Sequence, residues 1–503
     1  MCASWWHRLA MVIVIACAGL PVAAQVPAGS LLGKLGANKP DLALQYIGTA
    51  SSQDASPAAR AVTVPMARKA IADARDIGFF YVRIMAAGYG PVAPPPAGNP
   101  AQNDLALWQS DPALFWSRVD AMFDDLDAAG IRVVPSFVWN PLQFPALTNE
   151  TVTDLITNPA SRSRALLQRY VGEFIARYRA RPTILFYELT NELNLQADLD
   201  LVGRCRAVSS APTCVAQGNF TSWQMNGFAR QMVRWIKALD PAHPVGTGYA
   251  LPRPNAFHLA AQPEFSPNGG DLTADSPAQF RNVLATTGAL FDLWSVHIYP
   301  GDVGPAGSEA AAMQMAAVTA SNHGARLYLG EFGDSTLSPY LIAMLHKLGN
   351  GMVAYASVWV WEFYQQSTWQ SADLTATPPI SLEPGFTDAI DMLLMRAAGG
   401  QGKQALPSVR VVLTTPLPCT ALTGPADLYA TASASGPTSA SRVLFAVDGV
   451  PIGLATEVPF HTTYTPAGQG RHRISATAYA GAASGSSIAP VVSGAAATPC
   501  GVP

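Results

Sequence analysis

Short apolar runs alternate with amphipathic segments along residues 40–400. The run 184–187 is apolar on both faces, which is typical of a strand buried within a parallel sheet. Amphipathic helices are predicted between such runs, at Met66–Ile77, Ala113–Ala129, Ala160–Tyr178, Trp223–Leu239 and Ala278–Thr287. The predicted strands are Leu42–Thr49, Tyr81–Ala86, Ile131–Asn140, Ile184–Glu192, Pro244–Tyr249, Asp292–Tyr299, Arg326–Glu331 and Met352–Trp361.

Several of the predicted helices begin with a capping residue that is followed by proline. The pairs are Asp111-Pro112, Asn158-Pro159, Ser276-Pro277 and Ser338-Pro339. The cap side chain accepts a free N–H of the first turn, and proline at the first helical position loses no hydrogen bond. These pairs therefore predict where the helices start.

Alternation of strands and helices predicts parallel strands joined by right-handed crossovers. Eight such units over residues 25–400 indicate a closed (β/α)8 barrel, an α/β fold of the TIM type. A doubly wound open sheet is the alternative. No glycine-rich nucleotide turn follows the first predicted strand, which counts against a dinucleotide-binding version.

The composition changes after residue 400. Residues 401–407 are predicted to be a linker, and residues 408–503 are rich in Ala, Thr, Ser, Gly and Val. Strands are expected at Val409–Leu413, Leu428–Ser433, Arg442–Val447 and Arg473–Tyr479. Asp448-Gly449 after the third of these is a hairpin signal. Short strands and turns of this kind predict a small all-β immunoglobulin-like sandwich, an accessory domain.

Residues 1–24 are interpreted as an export signal. His7 and Arg8 precede an apolar run, and the small residues Val22 and Ala24 suit a cleavage site. A secreted or periplasmic protein follows from this interpretation. The alternative is a lipoprotein box ending at Cys17, which would anchor the chain to a membrane through a lipid.

Four cysteines remain beyond the leader, and an exported protein with an even set is expected to form disulfides. Proximity in sequence favours Cys205–Cys214 and Cys419–Cys500, but the sequence alone allows three pairings. Metal binding is the weaker interpretation, because the sequence has no Cys-x-x-Cys motif and no pair of histidines near these cysteines.

Only 13% of the residues are charged, against about 25% in an average globular protein. The net charge is −3, and no cluster of Lys and Arg forms a basic stripe. Nucleic acid is therefore not an expected partner.

Polar and aromatic side chains gather at the ends of the predicted strands. In a barrel these ends meet at one mouth, so we expect the groups to line one cleft. They are Arg83, Trp139, Asn140, Asn191, Glu192, His297, Tyr299, Glu331, Trp359 and Trp361. Glu188, within the fourth strand, is interpreted as a buried structural carboxylate.

Two carboxylates between aromatic walls suit cleavage of a glycosidic bond. One carboxyl donates a proton to the leaving oxygen, and the other attacks or assists at the anomeric carbon. Neighbouring carboxylates raise each other's proton affinity, so one stays protonated near neutral pH. In a retaining enzyme the two carboxyl groups are expected about 5–5.5 Å apart.

The motifs resemble the retaining glycoside hydrolases of clan A, and most closely family 5, the cellulase and mannanase family. The resemblance rests on Arg83, Tyr-Glu-Leu-Thr-Asn-Glu (187–192), His-Ile-Tyr (297–299), Leu-Gly-Glu-Phe (329–332) and Val-Trp (360–361). It implies that Glu192 is the acid/base and Glu331 the nucleophile.

The same resemblance assigns supporting roles. Asn191 would contact the sugar 2-hydroxyl, and Tyr299 and Arg83 would steady the nucleophile. His297 would join the acid/base network and Trp361 would floor the subsite at the scissile bond. Trp139 and Asn140 are further candidates for substrate binding.

The sequence thus predicts a retaining glycosidase that acts on a β-linked polysaccharide or oligosaccharide of the β-glucan or β-mannan type. No metal and no organic cofactor is expected. The alternatives are a non-catalytic carbohydrate-binding barrel and a transglycosylase that remodels glucan. Backbone sugar, linkage, endo or exo action and oligomeric state stay open.

Overall fold

The structure is a computed structural model that describes most of residues 34–493. The described ranges are 34–49, 79–90, 103–208, 212–333, 352–359, 409–416, 420–434, 442–448, 450–480 and 483–493, with parts of 63–75 and residues 344, 348 and 440. The predicted leader 1–24 with Cys17, the predicted linker 401–407, the pair 338–339, Trp361, Cys419 and Cys500 lie outside them.

The N-terminal part is a closed barrel of parallel strands in the order β1 to β8. Pairing of β1 with both β2 and β8 closes the ring. This confirms the predicted (β/α)8 barrel and rules out the open sheet. The strands are β1 Leu35–Asn38, β2 Tyr81–Met85, β3 Arg132–Val138, β4 Tyr187–Thr190, β5 Val245–Gly246, β6 Leu293–Ile298, β7 Arg326–Phe332 and β8 Tyr355–Val358.

The sequence pattern places the first strand wrongly. β1 is the short run Leu35–Asn38, and Leu42–Ile47 forms helix α1. Every residue of α1 is buried, so its apolar run has no polar face that would reveal a helical period. Gly48 ends α1 at a φ of 103°, a left-handed conformation that glycine adopts without steric cost.

Helices surround the barrel, and the described residues of 67–75 are also helical. The other helices are α2 Ala106–Ser110, α3 Pro112–Ala129, α4 Gln143–Thr148, α5 Val152–Thr157, α6 Arg162–Tyr178, α7 Leu201–Val208, α8 Ser222–Leu239, α9 Ala256–Ala261, α10 Pro277–Gly288 and α11 Glu309–Asn322. Short 3₁₀ turns lie at Leu193–Leu195, Pro212–Gln217 and Gly304–Ala306.

Two of the predicted caps are confirmed and one is wrong. Asp111 accepts the N–H of Leu114, and Ser276 forms a reciprocal capping box with Gln279. Asn158, however, ends α5, because its N–H bonds to the carbonyl of Asp154. Ser161 caps α6 instead, by accepting the N–H of Arg164.

The C-terminal part forms two sheets, as expected for a sandwich. One has the order β10-β16-β15-β12-β13 and the other β14-β11-β9. Val447 pairs with Val450 across the turn at Asp448, which confirms the predicted hairpin. The strands are β9 Val409–Thr415, β10 Ala421–Leu422, β11 Ala426–Ala434, β12 Arg442–Val447, β13 Val450–Ala455, β14 Phe460–Tyr464, β15 Gly470–Ala480 and β16 Ala483–Ser493.

A disulfide joins Cys205 in α7 to Cys214 in the following 3₁₀ turn, with Cα atoms 5.4 Å apart. This confirms the first of the two predicted pairs. Among the helices that the structure describes, none has the length and apolar character needed to cross a membrane.

Candidate active site

Arg83 lies at the centre of the candidate site. It sits on β2 and is fully buried. Its Nε and Nη2 donate to Glu188, with a shortest distance of 2.6 Å. Nη2 also donates to Asn191 Oδ1 at 2.8 Å. Nη1 donates to Glu331 Oε1 at 2.8 Å and to Asn38 Oδ1 at 2.9 Å. All five N–H groups of the guanidinium therefore have acceptors, which fixes its position.

Glu331 lies near the end of β7, and its side chain is only 6% exposed. Besides the bond from Arg83, it accepts one from the Tyr299 hydroxyl at 2.7 Å. Burial and the nearby carboxylate of Glu192 raise the pKa of Glu331, and its contacts with His297, Arg83 and Tyr299 act in the opposite direction. These donors favour the ionised form of the carboxyl.

A β-bulge places Glu331 in the mouth of the barrel. Val296 pairs with Leu329 but His297 pairs with Glu331, so Gly330 is an extra residue on β7. Such a bulge re-aims the side chains that follow it. A Cβ at position 330 would lie 2.6 Å from Ser295 Oγ and 2.7 Å from His297 Nε2, so only glycine fits there without displacing a neighbour.

Glu192 follows β4 and has a left-handed backbone with φ 51°. Its N–H donates to Gly248 O at 2.7 Å, which ties the tip of β4 to that of β5. Gly248 approaches so closely that a Cβ there would lie 1.6 Å from Thr190 O. The Glu192 side chain is 34% exposed, far more than that of Glu331. Partial burial raises its pKa.

His297, on β6, lies between the two carboxylates. Its Nδ1 is 2.8 Å from Glu192 Oε1 and 3.4 Å from Glu331 Oε1. Burial lowers the pKa of His297 to about 4, so the ring is neutral at pH 7. Nε2 has no hydrogen-bond partner among the described residues. The neutral ring therefore carries one proton, and we assign it to Nδ1, where the acceptors lie.

One ligand atom each of Glu192, His297 and Glu331 lies within 4.8 Å of the others. By residue type this trio could hold a metal ion. Two contacts oppose that reading: Nδ1 already bonds directly to Glu192, and the guanidinium of Arg83 bonds to Glu331. A cation would have to insert into the first contact and sit beside a buried positive charge.

The aromatic and amide candidates on β3 lie at the edge of the cluster. Trp139 is 7% exposed, and its ring lies 4.4 Å from the Cζ of Arg83. It also stacks on Trp359, with ring centroids 6.3 Å apart. The Asn140 amide donates to Tyr89 O and accepts from Leu142 N, so it braces the loop after β3. That Trp139, Asn140 and Trp361 contact the substrate stays a prediction.

The structure thus brings six predicted residues into one cluster: Arg83, Asn191, Glu192, His297, Tyr299 and Glu331. It adds Glu188, which the sequence assigned a structural role, and Asn38, which the sequence did not single out. Asn38 ends β1, accepts from Arg83 and donates to Gly330 O at 3.0 Å. The signal in the sequence was a polar side chain, Asn38, directly after the short apolar run 35–37, but it can be recognised only if β1 is placed correctly.

Comparison with known proteins matches residues 407–476 to a bacterial Ig domain family. No curated protein matches the chain. The endo-beta-1,4-mannanase from Thermotoga petrophila is 14% identical, covers 92% of this chain and 98% of its own, and has a TM-score of 0.46.

Two further solved structures come from Rhizomucor miehei. The endo-1,4-beta-mannanase is 16% identical with a TM-score of 0.46, and covers 73% of this chain and 95% of its own. The glycoside hydrolase family 5 mannosidase is 13% identical with a TM-score of 0.44, and covers 73% and 94%. All three are glycosidases by name. At these scores the activity has to be inferred from the residues of this chain.

Proposed function

We propose that the barrel is a retaining glycosidase that cleaves a β-linked polysaccharide or oligosaccharide. The observation that carries the proposal is the pair Glu192 and Glu331, which have one carboxylate oxygen each within 4.8 Å of the other in the barrel mouth. This close approach supports the arrangement of retaining enzymes, with carboxyl groups about 5–5.5 Å apart, over that of inverting enzymes, which keep about 6.5–9.5 Å free for a water.

The unequal surroundings of the two carboxyls support their roles. Glu331 is nearly buried and accepts from Arg83 and Tyr299, which stabilise an anion fit to attack. Glu192 is more exposed and accepts only from His297 among the described residues. Burial raises the pKa of both carboxyls, but only Glu331 has a cationic donor bonded to it, which leaves Glu192 the better suited to carry the proton as the acid.

In the proposed reaction, a Glu331 oxygen bonds to the anomeric carbon as the bond from that carbon to the leaving oxygen breaks. Glu192 gives its proton to the leaving oxygen. Water then attacks the anomeric carbon, passes one proton to Glu192, and releases the Glu331 carboxylate. The Nδ1–H of neutral His297 steadies the Glu192 carboxylate in the second half of the cycle.

We further propose that Asn191 binds a sugar hydroxyl. Its Oδ1 is held by Arg83 at 2.8 Å, so the amide is oriented by the same guanidinium that orients Glu331. β-Glucans and β-mannans are the proposed substrates, and an exported location, free or anchored through Cys17, is proposed for the enzyme.

The first test is release of reducing ends from β-mannans, β-glucans and xylans by the purified chain and by Glu331→Gln. Loss of the nucleophile is expected to lower kcat by about 10⁴-fold or more. Glu173→Gln is the matched control, because Glu173 is a part-buried carboxylate bonded to Trp108 and Trp116 in the helical layer. Activity that survives Glu331→Gln would contradict the assignment.

The stereochemistry tests the retaining step separately. The first sugar product, followed by NMR, is expected to be the β-anomer. With an aryl glycoside and azide, Glu331→Ala should give the α-glycosyl azide and Glu192→Ala the β-glycosyl azide. Binding without turnover would point to a carbohydrate-binding barrel, and longer oligosaccharide products would point to a transglycosylase.

A further inference from the structure

A second cavity lies beside the loop that carries Glu192, between helices α8, α9 and α10. Its volume is about 290 Å³, at the lower end of the roughly 300–1,000 Å³ typical of small-molecule sites. Asn194, two residues after Glu192, forms part of its wall. We call this space the side cavity.

The wall of the side cavity is fixed before any ligand enters. Asn194 Nδ2 donates to Ala250 O at 2.9 Å, and its Oδ1 accepts from Ala250 N at 3.0 Å. This pair of hydrogen bonds between side chain and backbone joins the loop after β4 to the loop after β5. A ligand would therefore bind to a preformed site, which lowers the ordering cost.

Buried polar groups in the wall have unused hydrogen-bonding capacity. Arg253 Nη1 donates to Ala197 O, but its Nη2 has no partner among the residues that the structure describes. Asn226 is 6% exposed, and within the described part of the chain its Oδ1 has no partner either. A buried polar atom without a partner is costly, and a turn of either side chain toward a ligand in the cavity would supply the missing partner.

The wall also holds an acceptor and a donor of opposite charge that do not pair. Asp198 is 4% exposed and accepts the N–H of Ser222 at 2.9 Å. Among the described residues no ion pair joins Asp198 to Arg253, although both line the cavity. Neighbouring hydroxyls on a sugar ring can donate to the carboxylate and accept from the guanidinium at once.

Part of the remaining wall is apolar, as the C–H face of a pyranose requires. Met225, Phe257 and Val283 line the cavity, and Phe257 is 36% exposed. Trp223, next to the lining residue Ser222, exposes 78% of its surface. This exposed indole on α8 offers a flat face on which a sugar ring can stack.

We propose that the side cavity binds one pyranose residue of a carbohydrate polymer, at a site separate from the cleft between Glu192 and Glu331. The identity of the ligand rests on the proposed function, because a glycosidase meets such polymers. The site would hold the polymer while the cleft acts on it.

The test uses the full chain with Glu331→Gln, so that ligand is not consumed, titrated by calorimetry with manno- and cello-hexasaccharides. Two binding events per chain are expected. Adding Val283→Trp, which fills the cavity, should leave one event. Adding Asn226→Leu should weaken one event at least 10-fold. Arg281→Trp is the control, because Arg281 is exposed on the same helix and does not line the cavity.

Two binding events that are unchanged by both Val283→Trp and Asn226→Leu would overturn the proposal, and so would a single event in the parent that neither change affects. Failure of the proposed function looks different. In that case no polymer would be hydrolysed by the unmodified chain, while loss of one event in Val283→Trp would still support the side cavity.

Discussion

The barrel interior contains two polar layers that are built on opposite principles. The lower layer is neutral: the Ser357 hydroxyl bonds to Tyr328 at 2.8 Å and to Tyr81 at 2.9 Å, among aromatic rings. The upper layer is charged and centres on Arg83, Glu188 and Glu331. Tyr81 and Arg83 are two residues apart on β2, so one strand face contributes to both layers.

The difference lies in how each layer is balanced. Hydroxyls of the lower layer satisfy one another, which suits a core whose role is stability. In the upper layer one guanidinium faces two carboxylates, so an excess negative charge is retained in a buried place. Burying such a charge costs stability, but it keeps an ionised carboxylate in place that can react. Changes in the upper layer should therefore affect activity most, and changes in the lower layer stability.

Among the changes that test this difference between the layers, Glu188→Gln should have the largest effect on activity. The change leaves Glu331 as the only carboxylate on Arg83, so the positive charge holds Glu331 more tightly and lowers its pKa. We expect kcat/KM to fall about 10- to 100-fold, the range seen for groups that orient a reacting ligand. The acid limb of the pH–rate profile should move to lower pH. An unchanged profile with a folded protein would mean that Glu188 only fills space.

Gly330→Ala tests the β-bulge that positions Glu331 in the barrel mouth. The new Cβ would meet Ser295 Oγ and His297 Nε2 at less than 3 Å, so these side chains have to shift, and a shift of His297 would disturb its bond to Glu192. Overpacking of this kind costs about 1–3 kcal/mol, measurable by denaturant unfolding, and kcat should fall too. Gly424→Ala is the control, since nothing lies within 4 Å of a Cβ there.

Ser357→Ala is the counterpart in the lower layer. It removes the hydroxyl that bridges Tyr81 and Tyr328, which should cost about 1–2 kcal/mol of unfolding free energy. We expect kcat/KM to stay within twofold, because the hydroxyl contacts no charged group of the upper layer. A loss of activity larger than the loss of stability would show that the two layers are coupled.

The upper layer was accessible from sequence because strand tips in a barrel meet whatever the loops do. Arg83, Glu192, His297 and Glu331 could be placed from the strand pattern alone. Asn38 could not be placed in this way. The fully buried helix α1 has the same apolar pattern as a buried strand, so the first strand was predicted to begin seven residues too late, at Leu42 instead of Leu35. A hydrophobic run without a polar face does not reveal its period.

The bulge and the side cavity lay beyond sequence reasoning for a different reason. Gly330 is an ordinary glycine until the register of β6 and β7 shows it to be the extra residue. The side cavity depends on three helices and two loops that meet in space, and no spacing along the chain encodes that meeting. Likewise, the unequal exposure of Glu192 and Glu331 follows from packing rather than from residue type.

The smallest predicted effect is a gain in stability from Glu192→Gln that depends on pH. Burial raises the pKa of Glu192 in the folded chain, while the unfolded chain has an ordinary value of about 4.3. The folded state then binds the proton more tightly, so the favourable contribution of this group is present below pH 4.3 and is lost as pH rises through the raised pKa. A neutral amide carries no such penalty. The Tm of Glu192→Gln should therefore exceed that of the parent at pH 7, and the two should converge near pH 4. A gap of the opposite sign at pH 7 would mean that the bond to His297 outweighs the cost of burying the charge, and that the upper layer stabilises the fold as the lower layer does.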